Sequence, residues 1–199
     1  MKFSRRNLLG VVVAGSAGLV VPRAFATVKT GEKPALLARA MAALKVHGSS
    51  IPYHDVIGLV DFSAPSREPR FQIVDVGNGR VVASMLVAHG RGSDPANSGW
   101  VERLSNRPGS NASCQGSFLT SETYSGKHGR SRRLHGLDAE NSLAESRAIV
   151  IHAASYVDRG MARAHGRVGR SEGCFAVSHD DIGQLLARLG TGRLLFASK

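Results

Sequence analysis

Phe71-Gln72-Ile73-Val74-Asp75-Val76-Gly77-Asn78-Gly79-Arg80-Val81-Val82-Ala83-Ser84-Met85-Leu86-Val87-Ala88 is two apolar runs joined by Gly-Asn-Gly. Val, Ile and Phe suit a pleated, half-buried surface, and Asn-Gly readily supplies the positive φ angles of a tight turn. Residues 71–88 are therefore expected to form a β-hairpin. Upstream, the apolar run 57–62 ends in Ser63-Ala64-Pro65-Ser66 and reads as a strand followed by a loop. Downstream, residues 89–116 are rich in Gly, Ser, Asn and Pro, the composition of a long functional loop bordering a cleft. A short polar and aromatic stretch, 116–124, leads into the turn-rich basic segment Ser125-Gly126-Lys127-His128-Gly129-Arg130. Arg147-Ala148-Ile149-Val150-Ile151-His152 reads as a buried strand with a histidine at its end, and residues 192–197 as a last strand.

Two helices complete the pattern. Residues 34–44 place Pro34 in a first turn, Leu37, Met41 and Leu44 at i, i+4 and i+7, and Gly48 beyond the end. Ser178 caps a second helix, Asp180 and Asp181 suit its positive end, and Ile182, Leu185, Leu186 and Leu189 form its apolar stripe up to Gly190. The fold class implied is mainly β with peripheral helices. No internal repeat divides the chain.

Residues 1–26 read as an export signal rather than as part of the fold. Lys2, Arg5 and Arg6 are its basic region, residues 8–21 its apolar region, and Ala24-Phe25-Ala26 an A-x-A cleavage site. The adjacent Arg5-Arg6 pair just before the apolar run is that of a twin-arginine signal, although the general secretory route is also open. Residues 27–55 are read as a helical accessory segment and 56–199 as a catalytic domain. The apolar run is shorter than the ~20 residues that span a bilayer, so no membrane span is expected after cleavage. Four of the 26 basic residues leave with the signal, and the 22 that stay outnumber the 15 acidic ones by seven. That surplus suits an anionic wall or lipid surface in the periplasm or cell envelope. No aromatic-studded basic stripe points to nucleic acid.

The chemistry concentrates in Gly166-Arg167-Val168-Gly169-Arg170-Ser171-Glu172-Gly173-Cys174. A flexible glycine backbone permits close approach of a substrate, and neighbouring positive charge, here from Arg167 and Arg170, favours thiolate over thiol. His152 is the candidate base, because a thiol with a free pKa of about 8.5 needs an imidazole to activate it at neutral pH. In an exported protein Cys114 and Cys174 could equally form one structural disulfide. A metal site is a weaker alternative: there is no H-E-x-x-H, no C-x-x-C and no helical histidine pair, and no cofactor is expected.

Across residues 57–197 the chain resembles the murein L,D-transpeptidase catalytic-domain family, with its YkuD-like fold. The resemblance is carried by Asp61-Phe62-Ser63-Ala64-Pro65-Ser66, Ala88-His89-Gly90-Arg91-Gly92-Ser93, Tyr124-Ser125-Gly126-Lys127-His128-Gly129, residues 147–152 and Gly169-Arg170-Ser171-Glu172-Gly173-Cys174. It implies a β-sandwich domain in which Cys174 attacks a peptidoglycan stem peptide with His152 as base and Ser171 and Gly173 in support. The N–H groups of Gly173 and Cys174 are the oxyanion donors it suggests. His128, Tyr124, Arg167 and Arg170 are the implied substrate contacts, and a monomer is expected. Common members carry histidine where this chain has Glu172, and arginine where it has Ala176. Glu172 would raise the thiol pKa unless a cation offsets it, and Arg167, Arg170 or Arg147 would have to bind the substrate carboxylate. The alternatives left open are a sortase-like or papain-like cysteine enzyme, a carboxypeptidase, and a non-enzymatic wall-binding domain. The papain order of cysteine before histidine and the sortase T-L-x-T-C strand are both absent.

Overall fold

The computed structural model describes residues 34–199, so the export signal expected over residues 1–26 lies outside them. The elements run α1 (Leu37–Val46), β1 (Val56–Asp61), β2 (Phe71–Asp75), β3 (Val81–Met85), β4 (Gly116–Gly126), β5 (Gly129–Gly136), β6 (Val150–Ala153), α2 (Arg159–His165), β7 (Phe175–Val177), α3 (His179–Arg188) and β8 (Leu194–Ser198). Hydrogen bonds join the strands in the order β3-β2-β1-β8-β4-β5-β6-β7. The β1/β8 and β6/β7 pairs are parallel and the others antiparallel.

This sheet curls until its two ends meet. Just past β3, the Ala88 N–H donates to the Ala176 carbonyl of β7 at 2.9 Å, and Gly90 bridges Ser171. One sheet thereby encloses an interior lined by Phe62, Phe71, Ile73, Met85, Phe118, Leu134, Ile151, Phe175 and Leu195. The opposite face of β1 and β8 is covered by α1, with Leu37, Ala40 and Leu44 against Ile57, Leu59, Leu194 and Phe196. Both faces of these central strands are buried, so they read as unbroken apolar runs rather than alternating ones. Phe175 stacks on Phe62 at 6.0 Å and meets Phe118 edge-on at 5.4 Å. Such pairs add about 0.5–1.5 kcal/mol beyond their burial, and here they anchor the residue next to Cys174.

Several expectations shift in detail. The buried stripe of α1 is Leu37, Ala40 and Leu44, while Met41 is exposed, because the helix presents its i+3 residue to the sheet. In the β2/β3 hairpin only Gly79 takes a positive φ. The loop is longer than a two-residue turn and is tied by its own side chains: Asp75 accepts from the Asn78 N–H, and Asn78 accepts from the Arg80 N–H. The strand expected from Arg147 begins at Val150, since Ala148 has φ 54° and closes a turn on Glu145. Residues 116–136 form the long β4/β5 hairpin, and β5, α2 and β7 are additional elements.

Candidate active site

The loop before β7 is pinned on three sides. Its Ser171 N–H donates to the His89 carbonyl at 2.9 Å, and the Arg91 N–H donates to the Ser171 carbonyl at 2.8 Å. Inside the turn, Ser171 Oγ donates to the Cys174 carbonyl at 2.8 Å and accepts from the Gly173 N–H at 3.1 Å. Ser113 Oγ holds the far side, donating to the Gly173 carbonyl at 3.1 Å and accepting from the Gly90 N–H at 3.0 Å. Gly173 is required here: its φ is +121°, and a Cβ would lie 2.7 Å from Ile149 Cδ1 and 2.8 Å from the Ala112 carbonyl oxygen. Because the Gly173 N–H is engaged by Ser171, it is not the free oxyanion donor expected from sequence. Of the two groups suggested, only the Cys174 N–H remains.

Strand β6 brings His152 to the same place. The parallel register pairs Ile151 with Phe175 and His152 with Ala176. Side chains alternate along strands, so Cys174 shares the face of His152, displaced by about 7 Å along the strand. The His152 Nδ1 lies 2.8 Å from the Ala153 carbonyl oxygen. A carbonyl can only accept, so Nδ1 carries the proton and Nε2 keeps its lone pair. Burial lowers the His152 pKa, and the charges of His128 and Lys127 lower it further, against the Ala153 hydrogen bond. The imidazole is thus neutral at neutral pH.

The thiol is neutral as well. Burial pushes the Cys174 pKa up and Glu172 adds to this, while the Val150 N–H, Lys127 and Arg147 pull it down. Cys174 Sγ contacts the Ala148 carbonyl oxygen at 3.4 Å. Burial thus favours the neutral form of both groups, a thiol and an imidazole on one face of the sheet. Glu172 is drawn aside by Arg91, at 3.0 Å between largely exposed groups.

Other expected residues divide clearly. His128, at the exposed tip of the β4/β5 hairpin, stacks on His152 with ring centroids 4.3 Å apart and planes 24° apart. Tyr124 instead holds Arg133 over its ring at 4.4 Å. Arg170 donates to the Asp94 carbonyl and Arg167 to the His165 carbonyl. Neither is among the charges that set the Cys174 pKa; Lys127 and Arg147, from loops distant in sequence, take that place. Arg147 also ties down the loop before β4 by donating to the carbonyls of Ser105 and Ala112. Cys114 and Cys174 are both free thiols, and burial pushes the core residue Cys114 up to about 11.

Sequence reasoning missed Tyr156. It lines a cavity of about 460 Å³ with Lys127, His128, Ser155 and His179. Burial, then the charges of Cys174 and Glu172, push its phenol up to about 12. Its only sequence signal was its position four residues after His152. A second hollow of about 420 Å³ lies on the side of Arg147 and Glu172. Sequence reasoning also missed a buried support beneath the loop: Arg70 Nη2 donates to His89 Nδ1 at 2.7 Å, and His89 Nε2 donates to Asp94 Oδ2 at 3.2 Å. Arginine has only donors, which fixes this tautomer. Among the described residues no cluster of His, Cys, Asp or Glu could hold a metal ion, and no helix is long and apolar enough to cross a membrane.

A family model described as L,D-transpeptidase catalytic domain matches residues 29–198. Among solved structures, the chain is similar to an L,D-transpeptidase from Mycobacterium smegmatis, with 13% identity over 73% of this chain and 59% of that chain and a TM-score of 0.44. It is similar to an L,D-transpeptidase from Xylanimonas cellulosilytica, with 17% identity, coverage of 80% and 69%, and a TM-score of 0.43. It is also similar to L,D-transpeptidase 3 from Mycobacterium tuberculosis in complex with a faropenem-derived adduct, with 13% identity, coverage of 73% and 60%, and a TM-score of 0.47. The match spans about three fifths of the two mycobacterial chains. No curated protein matches.

Proposed function

The chain belongs to the L,D-transpeptidase catalytic-domain family, and on that premise we propose that Cys174 is the nucleophile of an exported enzyme acting on peptidoglycan stem peptides in the cell envelope. His152 Nε2 takes the thiol proton as sulfur attacks the carbonyl of the donor's L-centre. The Cys174 N–H donates to the oxygen on which negative charge develops. Collapse of the tetrahedral intermediate expels the terminal D-residue, whose amine receives the proton from His152, and leaves a thioester on Cys174. The amine of a second stem then loses its proton to His152, attacks the thioester and restores the thiol, forming a 3-3 cross-link. Water in place of that amine makes the reaction a carboxypeptidase.

The observation that carries this reading is the Nδ1 bond of His152 to Ala153, which leaves a basic Nε2 on the face that Cys174 shares. Ser171 and Gly173 act by shaping the nucleophile's turn. His128 packs on the base, and with Lys127 and Tyr156 it borders the cavity where a stem peptide would lie. Arg167 and Arg170 are assigned to loop structure instead. Incubating the purified protein with tetrapeptide stems and analysing the products by mass spectrometry tests the proposal. The expected products are 3-3 linked dimers and free D-amino acid, both lost in Cys174→Ala; products undiminished in that variant would refute it.

A further inference from the structure

Another cavity, of about 400 Å³, lies between the β1/β2 loop and α2 and shares no lining residue with the cavity beside His152. Arg67 comes from the loop, and Arg159 and Arg163 from one side of α2, where the Arg163 Nε donates to the Arg159 carbonyl at 3.3 Å. Its apolar wall is Pro69, Leu86 and Ala162, the last two buried in the cluster that also holds Val157, Val168 and Ala176.

Arg67, Arg159 and Arg163 are all exposed, so solvent screens their mutual repulsion, but together they set a positive potential at the cavity mouth that favours an anion. No carboxylate lines the cavity, and none of the three forms an ion pair among the described residues. Elsewhere the chain does pair its arginines, as in Arg91 with Glu172, Arg133 with Glu122 and Arg193 with Asp55. The nearby Asp158 caps α2 by accepting the Met161 N–H. Guanidinium forks match the several acceptor oxygens of a phosphate better than a single-point anion, and an apolar wall of buried side chains suits an attached hydrocarbon.

We propose that this cavity binds an amphiphilic phosphate, with the phosphoryl group on Arg67, Arg159 and Arg163 and the hydrocarbon against Leu86, Pro69 and Ala162. The source is a lipid headgroup or a soluble alkyl phosphate, which share this chemistry. Titration calorimetry of the full chain with hexyl phosphate, inorganic phosphate and hexanol tests the site, with Arg159→Gln/Arg163→Gln as the variant. Hexyl phosphate is expected to bind about tenfold more tightly than either half-ligand, and the variant to lose about tenfold in affinity. Flotation with phosphatidylcholine vesicles, with and without phosphatidic acid, separates the sources: retention only on phosphatidic acid identifies a bilayer lipid, and hexyl phosphate binding without retention identifies a soluble amphiphile. Equal affinity for inorganic and hexyl phosphate, or unchanged affinity in a variant that keeps wild-type melting, overturns the proposal.

Discussion

Replacing Ser171 by alanine removes two hydrogen bonds from the turn that carries Cys174. The Gly173 N–H loses its acceptor and the Cys174 carbonyl loses its donor, at 3.1 and 2.8 Å. Ser171 is buried at 4% exposure, so water replaces neither partner easily. An unsatisfied buried group costs about 1–3 kcal/mol; two such groups, partly relaxed, amount to roughly 2–4 kcal/mol. For a domain of this size 1 kcal/mol lowers Tm by about 2–4 °C, so Ser171→Ala should melt roughly 5–15 °C below wild type by circular dichroism. The freed turn would also let Cys174 leave the face it shares with His152. Acylation by a stem tetrapeptide, followed by intact-protein mass, should therefore slow more than melting at the assay temperature explains. A variant with wild-type Tm and acylation rate would refute the structural role given to Ser171.

Glu172→Gln removes a charge that disfavours thiolate, so the Cys174 pKa should fall; the pH profile of alkylation by iodoacetamide reads this, and an upward shift contradicts it. Acid stability follows from His89, which burial, Arg70 and Arg170 push down to about 4 against Asp94. Its folded pKa lies below the unfolded value, so the unfolded chain binds the extra proton and stability falls as pH drops from about 6.5 towards 4, by roughly 3 kcal/mol in total. Urea melts of wild type and His89→Gln across that window should show the slope flattened in the variant. Gly173→Ala forces a Cβ to within 2.7–2.8 Å of Ile149 and Ala112 at φ +121°; a cost of about 2–4 kcal/mol is expected in urea denaturation, and a neutral result would contradict the packing described.

Elements that carry their own local signals were legible in the sequence. Helix α3 has its Ser178 cap, whose hydroxyl accepts the Asp181 N–H, and a regular stripe through Leu185 and Leu189. The strand leading to His152 is a plain apolar run. Strand β5 is hidden because Arg130, Arg132 and Arg133 break its alternation, although Arg132 is buried and donates to the carbonyls of Ser121 and Leu186. Strand β7 is only three residues long, too short for any periodicity. Helix α2 buries a single residue, Ala162, and its evidence is confined to the Asp158 cap and the left-handed Gly166. Within the site, the histidine, serine, glycine and cysteine were readable as a motif. The cations were not, because proximity along the chain selects Arg167 and Arg170, whereas folding brings Lys127 and Arg147 to the sulfur.

The central claim is that Cys174 forms the thioester. Incubating the protein with a stem tetrapeptide or a carbapenem, quenching in acid and mapping the adduct by peptide mass spectrometry tests this directly. The account predicts one acyl group, located on the peptide containing Cys174 and absent from Cys174→Ala. An adduct on Cys114 or on any serine, or turnover of the tetrapeptide by Cys174→Ala, would contradict it.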